Sequence, residues 1–221
     1  MRLPARGLIA LWLAALAGFA VMAGFSAAYD TFPADVWLSN RLQDIDSPVF
    51  ARMLDWAEDF ADLPLVAAVV LAGAAGLILA GGREQALLLV ASNAVRLVNS
   101  GLKEIIERPR PPPLLGADSD LPSSFSFPSG HVEGAMVLYG LLIYFAAAYL
   151  PQTWLRLPVQ AFCAWVIVFT AMERVYVGHH WTSDVLGGLY FGALVVAALI
   201  AVDRVALRAR RPVTKRRPFR Y

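Results

Sequence analysis

The sequence predicts an all-α fold, a polytopic membrane helix bundle, from its composition and from the lengths of its apolar segments. Hydrophobic residues make up 58% of the 221 residues, charged residues make up 16%, and the mean hydropathy is +0.57. This composition is too apolar for an ordinary soluble domain. Six segments reach or approach the roughly 20 apolar residues that a helix needs to cross the hydrocarbon core. They are 7–28, 63–82, 85–102, 131–150, 159–176 and 185–207.

The first segment, 7–28, has two interpretations. Ser26-Ala27-Ala28 resembles the small-residue site at which a signal peptide is cleaved. The apolar run is longer than the roughly 7 to 15 residues of a typical signal peptide. We therefore expect a retained membrane anchor.

The segment 29–62 contains eight acidic and two basic residues, with apolar residues interleaved at helical spacing. Ser47 is a plausible helix cap, and Pro48 suits the first helical turn. The pattern predicts one or two amphipathic helices in the outer interface after the first span. Packing on the bundle and guidance of a substrate are both open as their role.

The third span, 85–102, is the least regular, because Ser92, Asn93, Arg96 and Asn99 interrupt it. Such a polar stripe is expected to face the bundle interior rather than lipid. For Arg96, a structural pair with a carboxylate of the bundle is the favoured interpretation. The chain has one cysteine, Cys163, so it cannot form an intrachain disulfide.

Basic residues predict the orientation of the bundle. They precede the first span, follow the second and fourth spans, and are concentrated after the sixth. The positive-inside rule therefore predicts six spans with both termini in the cytoplasm. We expect a six-span domain over 1–207 and a basic cytoplasmic tail over 208–221. The compact, Ala-rich and Arg-rich chain favours a bacterial inner membrane protein, with its outer loops in the periplasm.

Three polar motifs lie at the ends of spans, and this topology places all three on the outer face. They are Lys103-x6-Arg110-Pro111, Pro128-Ser129-Gly130-His131 and Arg174-x5-His180-x3-Asp184.

The motifs contain the groups that phosphoryl transfer requires. Fixed positive charges and hydrogen-bond donors must surround the phosphorus, because negative charge is spread over its equatorial oxygens. Lys103, Arg110 and Arg174 can supply the charge, and Ser129 offers a hydroxyl. Gly130 allows close backbone approach where a helix begins, and a helix N-terminus itself favours anions.

The three histidines are expected to have different roles. Asp184, four residues after His180, can hold one ring nitrogen of His180 as N–H and leave the other free to attack phosphorus. His131 has no such carboxylate and is better suited to general acid and base catalysis. His179 is interpreted as a neighbour of the site. Adjacent histidines diverge and nearby acids are few, so no metal site or other cofactor is expected.

The three motifs, in this order, resemble the signature segments of the type 2 phosphatidic acid phosphatase (PAP2) superfamily, which includes lipid phosphate phosphatases and vanadium haloperoxidases. The resemblance implies a metal-independent mechanism through a phosphohistidine intermediate. It implies that His180 is the nucleophile, Asp184 its orienting partner and His131 the general acid and base. It also implies that the phosphate is held by Lys103, Arg110, Ser129, Gly130 and Arg174.

One residue departs from the family pattern. The family usually has serine immediately before the arginine of the third motif, and this chain has Glu173. A carboxylate there opposes phosphate binding unless it turns away, pairs with a cation or carries a proton. Glu133, two residues after His131, raises a similar but weaker question.

The sequence thus predicts an outward-facing phosphatase that acts on a membrane lipid phosphate or diphosphate, such as undecaprenyl diphosphate, phosphatidic acid or phosphatidylglycerophosphate. Transfer of the phosphoryl group to a lipid or sugar acceptor is an alternative. A noncatalytic lipid-head-group binder or transporter is another alternative, and a haloperoxidase is disfavoured. Membrane lipid is the expected partner and nucleic acid is not, whereas the oligomeric state is not predicted.

Overall fold

The computed structural model describes residues 5–112 and 123–207, and nine α-helices account for most of them. No β-strand occurs in these two stretches, so the all-α prediction is confirmed. The predicted tail, 208–221, lies outside the described residues. The helices are α1 (Ala5–Ala28), α2 (Pro33–Gln43), α3 (Pro48–Ala61), α4 (Leu63–Leu79), α5 (Arg83–Ala91), α6 (Val95–Ile106), α7 (Gly130–Tyr149), α8 (Thr153–Tyr176) and α9 (Thr182–Val202).

The central helix is α7, which packs against both α8 and α9. Its apolar side chains form the main core with residues of α4, α5, α8 and α9. Leu141 is fully buried, as is Val166 of α8. Tyr139, also in α7, donates a hydrogen bond of 2.7 Å to the carbonyl of Phe60 at the end of α3. The helix that begins at the second motif is thereby fixed on several sides.

Within residues 5–112 and 123–207, four helical stretches are long and apolar enough to cross a membrane, or five if the bent α3–α4 pair is counted as one span. These are Arg6–Ala28, Gly130–Tyr149, Thr153–Tyr176 and Thr182–Val205, and the α3–α4 pair bends by 63°. The four stretches agree with the first, fourth, fifth and sixth predicted spans. The six-span layout stays a prediction.

The predicted third span is divided into α5, a 3₁₀ turn over Ser92–Ala94, and α6. Side chains compete with the helical backbone at this break. The Ser92 hydroxyl donates to the carbonyl of Leu89 at 2.7 Å, and the side-chain amide of Asn93 donates to the same carbonyl at 3.2 Å. The interrupting polar residues therefore break the helix as well as marking one face of it. The predicted pairing of Arg96 with a bundle carboxylate stays a prediction.

The segment that contains α2 and α3 packs on the bundle. The buried face of α3 includes Leu54 and Ala57, and Thr170 of α8 donates to the carbonyl of Ala57 at 3.2 Å. Ser47 caps α3 by accepting a hydrogen bond from the amide of Phe50. Two helices are present where one or two amphipathic helices were predicted, and α3 buries its apolar face on the side where α8 ends. Their position in the outer interface stays a prediction.

Candidate active site

The three motifs converge at one end of the bundle, where α6 and α8 end and α7 and α9 begin. Backbone and side-chain contacts link all three. The Lys103 ammonium lies 3.4 Å from the carbonyl of Ser126, and Arg110 lies 3.2 Å from the His180 ring. The amide of Ser129 donates to the carbonyl of Asp184 at 3.1 Å. Segments that are distant in sequence thus form a single polar site.

Two glycines of α9 allow this close approach. A Cβ on Gly188 would lie 2.6 Å from the carbonyl oxygen of Ser129, and a Cβ on Gly187 would overlap the ring of Phe127. Any side chain at either position would force α9 away from the Pro128-Ser129 turn. The motifs in the sequence gave no indication of this role.

The imidazole of His180 is buried and contacted at both nitrogens. Nε2 lies 3.2 Å from Arg110 Nη1. Arginine can only donate, so Nε2 must be the acceptor and the neutral ring carries its proton on Nδ1. Nδ1 lies 3.3 Å from Ser126 Oγ and 3.6 Å from Asp184 Oδ2. Burial lowers the pKa of His180 to about 3, although Asp184 opposes that shift. The ring is therefore neutral at physiological pH, with its Nε2 lone pair facing Arg110.

The carboxylate of Asp184 is fully buried and accepts several hydrogen bonds. Its Oδ2 accepts from the hydroxyl of Ser126 and, at 2.9 Å, from the amide of Trp181. Its Oδ1 accepts from Arg108 Nη1 at 2.6 Å. Ser126 and Arg108 were not predicted from the sequence. Arg108 stands in the string Arg108-Pro109-Arg110, but the motif spacing selects only Arg110.

Lys103 and Arg110, the cations of the first motif, lie on the same side as His180. Arg110 also donates to the carbonyl of His179 at 2.7 Å. Lys103 donates to the carbonyl of Phe125. Burial, followed by the charge of Arg110, lowers the pKa of Lys103 to about 8. Arg110 therefore has a donor at the ring nitrogen that is expected to attack, and Lys103 shares the Phe125 carbonyl with Arg110.

His131 occupies a more open position. Its Nε2 lies 3.3 Å from Asp62 Oδ1, and the two side chains are 37% and 50% exposed. No hydrogen bond or ion pair joins His131 to His180 among the contacts described. Asp62 follows α3 and was not singled out in the sequence, where it is one of eight acidic residues in 29–62.

Arg174 is paired with two carboxylates. It forms ion pairs with Glu173, the residue that departs from the family pattern, and with Glu58 of α3. His179 Nδ1 lies 3.5 Å from Arg174 Nη1. Glu173 therefore pairs with a cation, which is one of the three arrangements compatible with phosphate binding. The contribution of Glu58 could not be predicted, because it depends on how α3 packs against α8.

The beginning of α7 has the features of an anion site. Ser129 precedes the helix, and its buried hydroxyl has no hydrogen-bond partner among the described residues. The first backbone N–H groups of a helix have no partners within the helix. A Cβ on Gly130 would lie 3.1 Å from Asn99 Oδ1, so glycine permits the contact between α7 and α6.

Comparison with known sequences identifies relatives of this chain. The model of the PAP2 superfamily matches residues 85–207. Phosphatidylglycerophosphatase B of Bacillus subtilis is 39% identical over 127 residues, which cover 56% of this chain and 60% of that protein. Decaprenylphosphoryl-5-phosphoribose phosphatase of Mycobacterium tuberculosis is 34% identical over 113 residues, covering 50% of this chain and 56% of that protein. The matches thus span less than two thirds of these relatives.

Two solved structures have the same fold. A transmembrane PAP2-type phosphatidylglycerolphosphate phosphatase from Bacillus subtilis has a TM-score of 0.75 and 28% identity, covering 90% of this chain and 98% of that structure. LpxE of Aquifex aeolicus has a TM-score of 0.60 and 19% identity, covering 78% of this chain and 98% of that structure. The apolar helices and these membrane folds identify an integral membrane protein. By its matched region, its fold and its three convergent motifs, the chain belongs to the PAP2 superfamily.

Proposed function

We propose that this protein is a metal-independent phosphatase of a membrane lipid phosphate or diphosphate, acting through a phosphohistidine on His180. The observation that carries the proposal is the hydrogen-bonding state of His180. Arg110 lies 3.2 Å from Nε2, while Ser126 and Asp184 lie on the Nδ1 side. The unprotonated nitrogen therefore points towards a cation that is proposed to bind phosphate.

In the first step, Nε2 of His180 attacks phosphorus and the bond from phosphorus to the leaving oxygen breaks. His131 donates a proton to that oxygen, so the alcohol or phosphate leaves in protonated form. Asp184 stabilises the positive charge that develops on the His180 ring. In the second step, His131 takes a proton from water, the water oxygen attacks phosphorus, and the P–N bond breaks to release inorganic phosphate.

The remaining motif residues are proposed to hold the phosphoryl oxygens. Lys103, Arg110 and Arg174 supply positive charge, and Ser129 supplies a hydroxyl with no partner in the part of the chain that the structure describes. The N-terminus of α7 adds backbone donors beginning at Gly130. Donors fixed before the reaction stabilise the transition state without reorganisation.

A lipid substrate is supported by the named relatives and by the exposure of the acid side of the site. The relatives are a phosphatidylglycerophosphatase and a decaprenylphosphoryl-5-phosphoribose phosphatase. His131 and Asp62 are both partly exposed, so a head group can reach them while its tail stays in the bilayer. From the positive-inside rule, we propose that this end faces the periplasm.

The test is a phosphate-release screen of the purified protein with lipid monophosphates and diphosphates, in the presence of a chelator. We expect release from at least one lipid, no release by His180→Ala, and retained release by the adjacent variant His179→Ala. Rapid quenching at alkaline pH is expected to trap phosphate on wild-type His180. A strict metal requirement, or normal turnover by folded His180→Ala, would contradict the proposal.

The same screen separates hydrolysis from the alternatives. Adding glycerol, sugar or lipid acceptors distinguishes release to water from phosphoryl transfer, because transfer yields a phosphorylated acceptor. A noncatalytic binder would retain the lipid without producing inorganic phosphate.

A further inference from the structure

Arg108 is a buried arginine that lies behind the site rather than in it. Its side chain is fully buried between two carboxylates, Asp184 at 2.6 Å and Asp35 at 2.9 Å. Its Nε donates to the carbonyl of Asp30 at 3.2 Å, and the guanidinium carbon lies 4.8 Å from the centre of the Phe32 ring. Because its side chain is completely enclosed by protein, Arg108 is not accessible to a substrate.

Asp35 belongs to α2, outside all three motifs, and connects that helix to the beginning of α9. Its Oδ1 accepts from the amide of Ser183 at 2.8 Å. Its Oδ2 accepts from the hydroxyl of Ser183 at 2.7 Å and from Arg108. Ser183 directly precedes Asp184, so Asp35 holds both the arginine and the first turn of α9.

This arrangement restricts how Asp184 can turn. Oδ2 faces Ser126, Trp181 and the His180 ring, while Oδ1 is fixed by Arg108. A carboxylate with its two oxygens fixed on opposite sides cannot rotate about its side-chain bond without breaking buried, charge-assisted hydrogen bonds. If Arg108 were absent, a buried oxygen would be left without a partner, and rotation towards another donor would compete with the contact to His180.

We propose that Arg108 and Asp35 are positioning residues that act through Asp184 on His180. The proposal rests on the proposed function, because it concerns the orientation of the attacking histidine. Through Asp35, α2 would then contribute to catalysis without contacting the substrate. Arginine suits this place because its planar fork reaches two carboxylates at once, which a single ammonium group cannot do.

The central test measures kcat and KM for Arg108→Gln, Arg108→Lys and Asp35→Asn. We expect Arg108→Gln to lower kcat about 10- to 100-fold, which is the loss typical of removing a residue that orients a metal-binding side chain. KM should stay close to the wild-type value, because no phosphate contact is removed. Arg108→Lys should restore part of kcat, and Asp35→Asn should show a smaller loss than Arg108→Gln. Asp44→Asn, an exposed position after α2, is the charge-matched control and should retain wild-type kcat.

A double-mutant cycle separates positioning from a purely structural role. If Arg108 acts through Asp184, then adding Arg108→Gln to Asp184→Asn should leave kcat within about twofold of Asp184→Asn alone, because coupled effects are not additive. Multiplied losses, or a lower melting temperature with unchanged kcat for the folded fraction, would overturn the positioning role. If Arg108→Gln does not fold, Asp35→Asn decides, since wild-type kcat in that variant also overturns the proposal.

The two levels of proposal can fail separately. Phosphate release by the wild type and its loss in His180→Ala establish the proposed function without Arg108. With that result, unchanged kcat in folded Arg108→Gln removes only the positioning roles.

Discussion

His180 and His131, the two histidines assigned to opposite halves of the reaction, have very different surroundings. The nucleophile half consists of His180, Asp184, Ser126 and Arg108, and its side chains are enclosed by protein. The acid half consists of His131, Asp62, Arg174 and Glu58, and it opens to the surface at His131, Asp62 and Glu58. In the proposed mechanism, the attacking group is thus oriented before a substrate arrives, whereas the acid half contains carboxylates beside the proposed binding site of an anionic substrate.

This difference indicates which steps depend on substrate. Attack by His180 needs little rearrangement, apart from transfer of the Arg110 donor from Nε2 to a phosphoryl oxygen. Proton donation by His131 requires that its contact with Asp62 be exchanged for one with the leaving oxygen. Binding at Arg174 requires competition with Glu58. Substrate-dependent motion is therefore expected at α3 rather than at α9.

The largest expected effects come from replacing each of the two histidines, and for His131 the effect depends on the leaving group of the substrate. His180→Ala should abolish turnover of every phosphate ester, because no other group is aligned to attack. His131→Ala should lower turnover of a lipid phosphate about 10²- to 10⁴-fold, the usual contribution of general acid and base catalysis. On 4-nitrophenyl phosphate, whose leaving group needs no proton, His131→Ala should still form the phosphoenzyme rapidly.

The measurement is rapid-quench detection of nitrophenolate and of protein-bound phosphate. If His131→Ala releases nitrophenolate as slowly as it turns over a lipid phosphate, then His131 does more than protonate the leaving oxygen. Bound phosphate in His180→Ala would place the nucleophile elsewhere.

The next effect tests how closely α9 must approach the second motif. Gly188→Ala places a Cβ 2.6 Å from the Ser129 carbonyl oxygen, and backbone must shift to accept it. A displacement of about 1 Å in a catalytic site can cost on the order of 10² in rate. Gly101→Ala is the matched control, because a Cβ there meets nothing within 4 Å. We expect Gly188→Ala to lose kcat and Gly101→Ala to keep it, and equal activities would show that the close packing is not required.

A third prediction concerns pH and the charge of Lys103. Burial lowers the pKa of Lys103 to about 8, so its positive charge is present below that pH and is lost as the pH rises through it. We expect kcat/KM to fall above pH 8, approaching a tenfold decrease for each pH unit. Lys103→Arg should remove this decrease in kcat/KM, because arginine stays protonated throughout the pH range. If kcat/KM of Lys103→Arg still falls above pH 8, the titrating group is not Lys103.

The sequence was sufficient for the all-α fold class, and its motifs supplied the residues that are proposed to contact phosphate. Apolar segment lengths predicted the long helices, and fixed spacing identified His131, His180 and their cations. Helical periodicity also predicted α2 and α3, including the cap at Ser47. These features depend on local patterns, which can be recognised without knowledge of tertiary packing.

The residues that were missed depend on contacts between distant segments. Asp35 and Asp184 are brought together by Arg108, and Glu58 reaches Arg174 because α3 packs on α8. Eight acidic residues in 29–62 offered many equivalent candidates. The break in the predicted third span is different, since Ser92 and Asn93 were noticed but interpreted as a polar stripe.

The smallest predicted effect tests whether Glu58 competes with substrate for Arg174. Glu58→Gln removes the carboxylate charge and keeps the side-chain size, so Arg174 should be more available to phosphate. Since the Glu58 side chain is 37% exposed, the pair is expected to contribute only about 0.5 to 1 kcal/mol. That corresponds to a decrease in KM of about two- to fivefold, with kcat nearly unchanged.

The matched control is Asp55→Asn, an exposed acidic position one turn earlier on α3, which should leave KM unchanged at the same ionic strength. An increase in KM with Glu58→Gln would reverse the interpretation, because Glu58 would then hold Arg174 in its binding orientation. In that case the acid half would be preorganised like the nucleophile half, despite its greater exposure. A decrease in KM would instead show that Glu58 occupies the position of a substrate oxygen until the lipid head group displaces it.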